Sequence, residues 1–160
     1  MSKKIYVTLI VICFLIASTS YANMKKGSIG SGKARQFSFS SAADGPCTAT
    51  VIYDRTASDI DTAIASAASG DLICLGISSQ NNFESCTAGL PPGDFLLVIS
   101  SFKGSSSFRA VVNCSDQQSV TAGGVSSSPV LQDSELGATG QRIADQLRKI
   151  ASRAKGSINP

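Results

Sequence analysis

The sequence predicts an all-β fold, a small antiparallel β-sandwich of jelly-roll-like type, followed by a flexible linker and a C-terminal amphipathic helix. Three observations carry that expectation. Short runs rich in Val, Ile, Phe and Thr recur through the middle of the chain: "QFSFS", "CTATVIY", "DFLLVIS" and "SFRAVVN". Turn-forming clusters "ADGP", "SSQNN", "PPGD" and "KGSSS" bound them, and strands so spaced favour a sandwich or small barrel over a helical fold. A long helical period stands at the far end, where Ile143, Leu147, Ile150 and Ala154 fall four, three and four residues apart.

Residues 1–22 read as a secretory signal peptide. Lys3 and Lys4 open it, residues 5–17 form an apolar run, and Ser20 and Ala22 occupy the −3 and −1 places of a cleavage site. That run is short of the ~20 residues needed to span hydrocarbon, so no integral membrane anchor is expected after cleavage. The expected location is secreted or periplasmic. Residues 23–35, "NMKKGSIGSGKAR", read as a flexible basic leader because Gly, Ser and Lys surround one isolated isoleucine.

The body spans 36–116. Phe37 and Phe39 share one strand face; Cys47, Ala49, Val51 and Tyr53 share another; Phe108, Ala110 and Val112 a third; and "DFLLVIS" is apolar on both faces. The stretch "SDIDTAIASAASGDLICLG" reads two ways. As a helix it has Ser58 as N-cap, Ile60 and Ile64 four apart, alanines throughout and Gly70 as the stop. As a strand it alternates, with Ile60, Thr62 and Ile64 opposite Asp61, Ala63 and Ala65. Alanine favours the helix locally. Residues 117–138 are a Ser/Gly-rich linker, and 139–160 hold the helix and tail, with Ile143, Leu147 and Ile150 as a partner-binding stripe if the helix does not dock on its own domain.

Composition narrows the chemistry. The chain has no histidine and no tryptophan, which removes Ser-His-Asp and Cys-His nucleophile activation and most stacking platforms. Residues 44–116 carry three basic and eight acidic side chains, whereas 23–35 carry four basic and none acidic. A nucleic-acid binder concentrates positive charge on its folded part, so no nucleic-acid partner is expected. Cys47, Cys74, Cys86 and Cys114 lie beyond the signal peptide, an even number in an exported chain, and read as two disulfides with three pairings open. No two of them stand at zinc-ligand spacing. Asp59, Asp61 and Asp71 are a weak calcium candidate, since carboxylates at i and i+2 with a third from a nearby turn supply part of the six to eight oxygens that ion takes; turn capping and solvated edge charge is the simpler account. No other cofactor is expected. Asp59/Asp61 and Glu84/Asp94 are the carboxylate pairs available for a glycosidase dyad, without any sign of a cleft.

From Gln36 to Val112 the order of motifs resembles the bacterial pre-peptidase C-terminal domain family. "QFSFSSAADGPCTATVIY" is similar to its opening strand, turn and second strand. "DIDTAIASAASGDLICL" resembles its Asp-x-Asp strand and Gly-Asp hairpin, and "LPPGDFLLVISSFKGSSSFRAVV" its Leu-Pro-x-Gly-Tyr motif, with Phe95 where tyrosine is usual. The resemblance implies a β-sandwich and makes residues 60–68 a strand turning at Gly70. Three departures stand out: alanines at 63, 65 and 67 where bulky strand residues are usual, the four cysteines, and no peptidase ahead of the module. Placed in that sandwich, Cys74 and Cys86, each six residues from Gln80, would face each other across a hairpin, leaving Cys47 with Cys114. The implied function is a non-enzymatic binding or accessory module with a protein or cell-surface partner; the rival is a structural, pilin-like surface subunit. Oligomeric state is open.

Two structural disulfides make stability redox-dependent. Reductant is expected to lower the melting temperature sharply, and a transition indifferent to reductant would contradict them.

Overall fold

The alternation read from the sequence decides which side chains of each strand face inward, and the strands assemble by that rule. The structure, a computed structural model, describes residues 23–54, 58–78, 82–115 and 126–156. Residues 1–22, read as a signal peptide, the first part of the linker (116–125) and the end of the tail (157–160) lie outside the described residues. In chain order the strands are β1 (Lys25–Ile29), β2 (Ala34–Ser41), β3 (Gly45–Tyr53), β4 (Asp59–Ser66), β5 (Leu72–Gly76), β6 (Phe83–Leu90), β7 (Gly93–Lys103), β8 (Ser106–Ser115), β9 (Ser126–Ser127) and β10 (Gln132–Ser134), followed by helix α1 (Ala138–Gly156). A front sheet runs β1-β8-β3-β6, with β9 beside the end of β8, and a back sheet runs β10-β2-β7-β4-β5. Every pairing is antiparallel.

Between the sheets lie Phe37, Phe39, Val51, Tyr53, Phe108 and Val112, on the faces the alternation assigned, with Leu97 and Ile99 of the doubly apolar run. Phe37 and Phe108 meet edge to face across the core at 6.0 Å, a preferred arrangement of aromatic quadrupoles. Residues 59–66 are strand β4, with Ile60 and Ile64 pointing into this core. Ser58, the would-be helix cap, instead donates its hydroxyl to the Ser105 carbonyl at 3.1 Å. Gly70 turns the chain with φ 72°, a left-handed conformation that favours glycine, and its N–H closes the turn on the Ser66 carbonyl.

The other face of β4 explains its alanines. Ala63 and Ala65 of β4 and Leu96 and Val98 of β7 form the outer face of the back sheet, and α1 lies on them through Ile143, Ala144 and Leu147. β4 and β7 are thus buried on both faces, and two of the methyl-sized side chains on β4 leave room for a helix. Local propensity pointed to helix here; a third layer overrides it.

Four expectations are corrected. The leader is not a tail: Lys25–Ile29 pairs with Ser106–Ala110. Its isolated Ile29 enters the core, and a Cβ on Gly27 would stand 2.7 Å from the Phe108 ring, so a composition read as looseness reflects close packing. The linker's later part is structured too, with Ser126–Ser127 on β8, Gln132–Ser134 on β2 and Leu131 in the core. The helical stripe is rotated: Ile143 and Leu147 are buried with Ala144 and Ala151, whereas Ile150 is exposed. Ile143 and Leu147 therefore serve the chain's own sheet, and the three-residue partner-binding stripe does not exist on this surface. Finally, Cys74 and Cys86 do not face each other across a hairpin. β5 pairs with β4 in the back sheet and β6 with β3 in the front sheet, so the chain changes sheets between them.

The disulfides join Cys47 to Cys114, 67 residues apart on neighbouring strands β3 and β8, and Cys74 to Cys86, 12 residues apart on the two sheet edges. By the chain-entropy account they contribute about 4 and about 3 kcal/mol. At the opposite edge Lys25 of β1 pairs with Asp133 of β10 across the same gap.

Packing of α1 on small side chains is directly testable. Ala65→Leu should cost about 1–3 kcal/mol by forcing the helix off the sheet, and Leu147→Ala about 2–5 kcal/mol by leaving a cavity. Ile150→Ala should stay within about 1 kcal/mol, because that side chain is exposed. Chemical denaturation of the three variants checks the order.

Candidate functional site

Two places concentrate chemistry. One is a buried cluster of ionisable groups where the end of α1 meets the start of β4. Asp59 and Asp61 share one face there, as alternation places residues i and i+2, beside an irregularity in the β4–β7 register that falls between Asp59 and Ile60. Lys155, in the last turn of α1, reaches both, with Nζ donating at 2.6 Å to Asp59 Oδ1 and 2.8 Å to Asp61 Oδ1. Its ammonium also stands 5.3 Å from the centre of the Phe102 ring, within cation–π range. Asp61 is fully buried, and its Oδ2 has no hydrogen-bond partner.

Glu84 of β6 and Tyr53 of β3 face the same region from the front sheet. Glu84 is buried, with Oε1 lacking a hydrogen bond. Burial, reinforced by the negative charge of Asp61 and Asp59, raises Glu84 to about 7 against the opposing Ser78 backbone hydrogen bond and Lys155. Burial likewise raises Asp61 to about 6, although the hydrogen bond and attraction of Lys155 pull it down. Tyr53 is pushed to about 12 by burial and then by Glu84, Asp59 and Asp61. For Lys155, burial acts to lower the pKa, but Asp59 and Asp61 outweigh it and leave the amine raised. Asp59 and Asp61 thus share one cation, and Glu84 feels their charge in a largely desolvated space, an arrangement that stores proton affinity.

The calcium candidate is not assembled. Asp71 is exposed beyond the turn after β4, next to Ser66 at the strand's far end, and Ser66 stands five residues from Asp61, roughly 17 Å at strand rise. Asp59 and Asp61 are the acceptors of an ammonium, and among the described residues no three acidic or cysteine side chains converge in a metal-binding arrangement. Of the two carboxylate dyads, Asp59 and Asp61 are joined through the Lys155 ammonium, whereas Glu84 is buried and Asp94 is exposed, accepting a hydrogen bond from the Ser40 hydroxyl at 2.6 Å. Sequence reasoning named Glu84 only beside Asp94 and missed Lys155, since a lysine in a helix tail looks like a surface residue.

The second place is the outer face of the front sheet, which no element of the described chain covers. Cross-strand registers set one row across its four main strands: Phe83 on β6 opposite Ile52 on β3, Ile52 opposite Arg109 on β8, and Arg109 opposite Lys26 on β1. Phe83 and Ile52 are 47% and 40% exposed, so two large apolar side chains stand together in water. Arg109 pairs loosely with Asp54 at 3.7 Å, while Lys26 has no ion pair among the described residues. Like charges directly opposite are unfavourable in a sheet. The next rows are Ser85, Thr50 and Val111, then Thr87, Thr48 and Asn113, with the Thr48 and Thr87 hydroxyls 2.8 Å apart.

No family model and no curated protein matches the chain. Among solved structures it is similar to the pre-peptidase C-terminal domain of a collagenase from Bacillus anthracis, at 15% identity and a TM-score of 0.49, covering 56% of this chain and 86% of that one. It is also similar to a mitogen from Yersinia pseudotuberculosis, at 10% identity and a TM-score of 0.44, covering 54% of this chain and 80% of the other.

The raised carboxyls reverse the usual acid response. A group held above its unfolded pKa binds its proton more tightly when folded, so folding is favoured below the unfolded value and penalised as pH rises through the folded one. For Asp61 that window runs from 3.8 to about 6, and for Glu84 from 4.5 to about 7. The melting temperature should therefore be higher at pH 5 than at pH 8. At about 1.4 kcal/mol per pKa unit, Glu84→Gln should recover on the order of 3 kcal/mol at pH 8 and almost nothing at pH 4. A wild-type profile rising steadily from pH 5 to 8 would contradict this.

Proposed function

We propose that the chain is an exported, non-enzymatic binding module, of the accessory kind that its resemblance to pre-peptidase C-terminal domains implies, and that it receives a protein partner on the outer face of the front sheet. The row Phe83, Ile52, Arg109 and Lys26 carries the reading. Exposed apolar side chains set side by side and flanked by polar rows have the composition of a recognition patch. Lys26 and Arg109 face each other without a full complement of counter-charge, so the partner has acidic side chains beside an apolar group. Supporting location outside the cytoplasm are the two disulfides and the signal-like first 22 residues. Among the described residues no helix is long and apolar enough to cross a membrane.

A photo-crosslinking residue at Thr50, at the centre of the face, tests the reading in the producing cell, with Ser152 on the exposed side of α1 as control. Thr50 should give an adduct with another protein that Ser152 does not. Phe83→Ser or Arg109→Glu should weaken it at least tenfold, about 1.4 kcal/mol. An adduct with a second copy of this chain supports the structural-subunit rival instead, and equal labelling from both positions overturns the assigned face.

A further inference from the structure

We propose that Lys155 and the Asp59–Asp61 pair form a proton-operated latch: mild acid releases the last turn of α1 from the back sheet, while the earlier turns stay docked. The geometry divides the helix in two. Ile143, Ala144, Leu147 and Ala151 hold its first part by apolar burial, which does not respond to pH. Arg142 adds a hydrogen bond to the Ser69 carbonyl at 3.0 Å, and Arg148 one to Ser100 Oγ at 3.1 Å; neither acceptor titrates. Beyond Ala151 no described helix residue is buried, and the last turn is held to the sheet by Lys155, through Asp59, Asp61 and the Phe102 ring.

The charged groups around the latch come from five elements. Asp59 and Asp61 lie on β4, Tyr53 on β3, Glu84 on β6 and Lys155 on α1, while Lys103 of β7 is the cross-strand neighbour of Asp59. Arg148 binds Ser100, the cross-strand neighbour of Asp61, and is itself paired with Asp145 at 3.0 Å. Lys155 is therefore the cation bonded directly to the buried carboxylate. Coupling of this kind is reciprocal. Since Lys155 lowers the proton affinity of Asp61, a proton on Asp61 must weaken the hold of Lys155 by the same factor. Asp61 Oδ2, buried without a hydrogen bond, is the vacant acceptor on which that proton can reside. Asp61 titrates near 6, so the latch is set at neutral pH and loosens below. Global stability still rises in acid, because unlatching is a local opening of the folded state.

Release would uncover the two carboxyls beside the already exposed Phe102 ring at one corner of the back sheet. Nuclear magnetic resonance reads the latch directly in the folded protein. Between pH 7.5 and 5.0, the Lys155 side-chain signals should shift with the same midpoint as the Asp61 carboxyl. Amide protection over residues 153–156, corrected for intrinsic exchange, should fall several-fold while that of 143–147 holds. Asp61→Asn should abolish the pH dependence at Lys155. If that variant does not fold, Lys155→Gln provides the second reading and should leave the last turn equally open at both pH values. Lys155 signals that ignore the Asp61 titration, or unchanged protection of 153–156 across the range, overturn the latch.

Discussion

The packing of α1 across Ala63 and Ala65 of β4 and Leu96 and Val98 of β7 is the constraint on which the rest of the structure depends. A two-sheet sandwich needs one buried face per sheet. Here the two central strands of the back sheet are buried on both, so a third layer is required. Small side chains on β4 let the helix come close, and larger ones on β7 supply much of the apolar area. The helix belongs to the domain, and the chain before it must return to the sandwich, which it does by adding β9 to one sheet and β10 to the other.

Covering the back sheet makes the two sides of the molecule unequal. The front sheet keeps a face open to solvent, where the register lines up Phe83, Ile52, Arg109 and Lys26. The sandwich edges are closed by different means. One has the Cys74–Cys86 bridge between strands of different sheets, and the other the Lys25–Asp133 pair. The covalent tie withstands salt and pH; the ionic one, between partly exposed groups, is a small contribution.

Docking the helix also carries Lys155 onto a buried carboxylate. A single ammonium bound to Asp59 and Asp61, with Glu84 feeling the same charges, leaves an excess of acid groups in a desolvated space, and proton binding is the available relief. The helix end is thereby tied to pH, whereas the apolar middle of the same helix is not.

By itself the sequence determined the all-β class, the inward residues of β2, β3 and β8, the turn at Gly70, and the helix at the end. Each follows from a local rule, alternation, turn chemistry or helical period, acting over a few neighbouring residues. Asp59 and Asp61 were legible as a pair for the same reason. Only tertiary structure decided that residues 25–29 are a strand, that residues 60–65 face a helix as well as a core, and that Cys74 and Cys86 join two sheets. The same holds for Lys155 and Glu84 as partners of Asp61, and for the row on the front sheet. Those outcomes depend on which distant segment supplies the missing neighbour. An alanine, a glycine or a lone lysine has no local preference strong enough to announce what will pack against it.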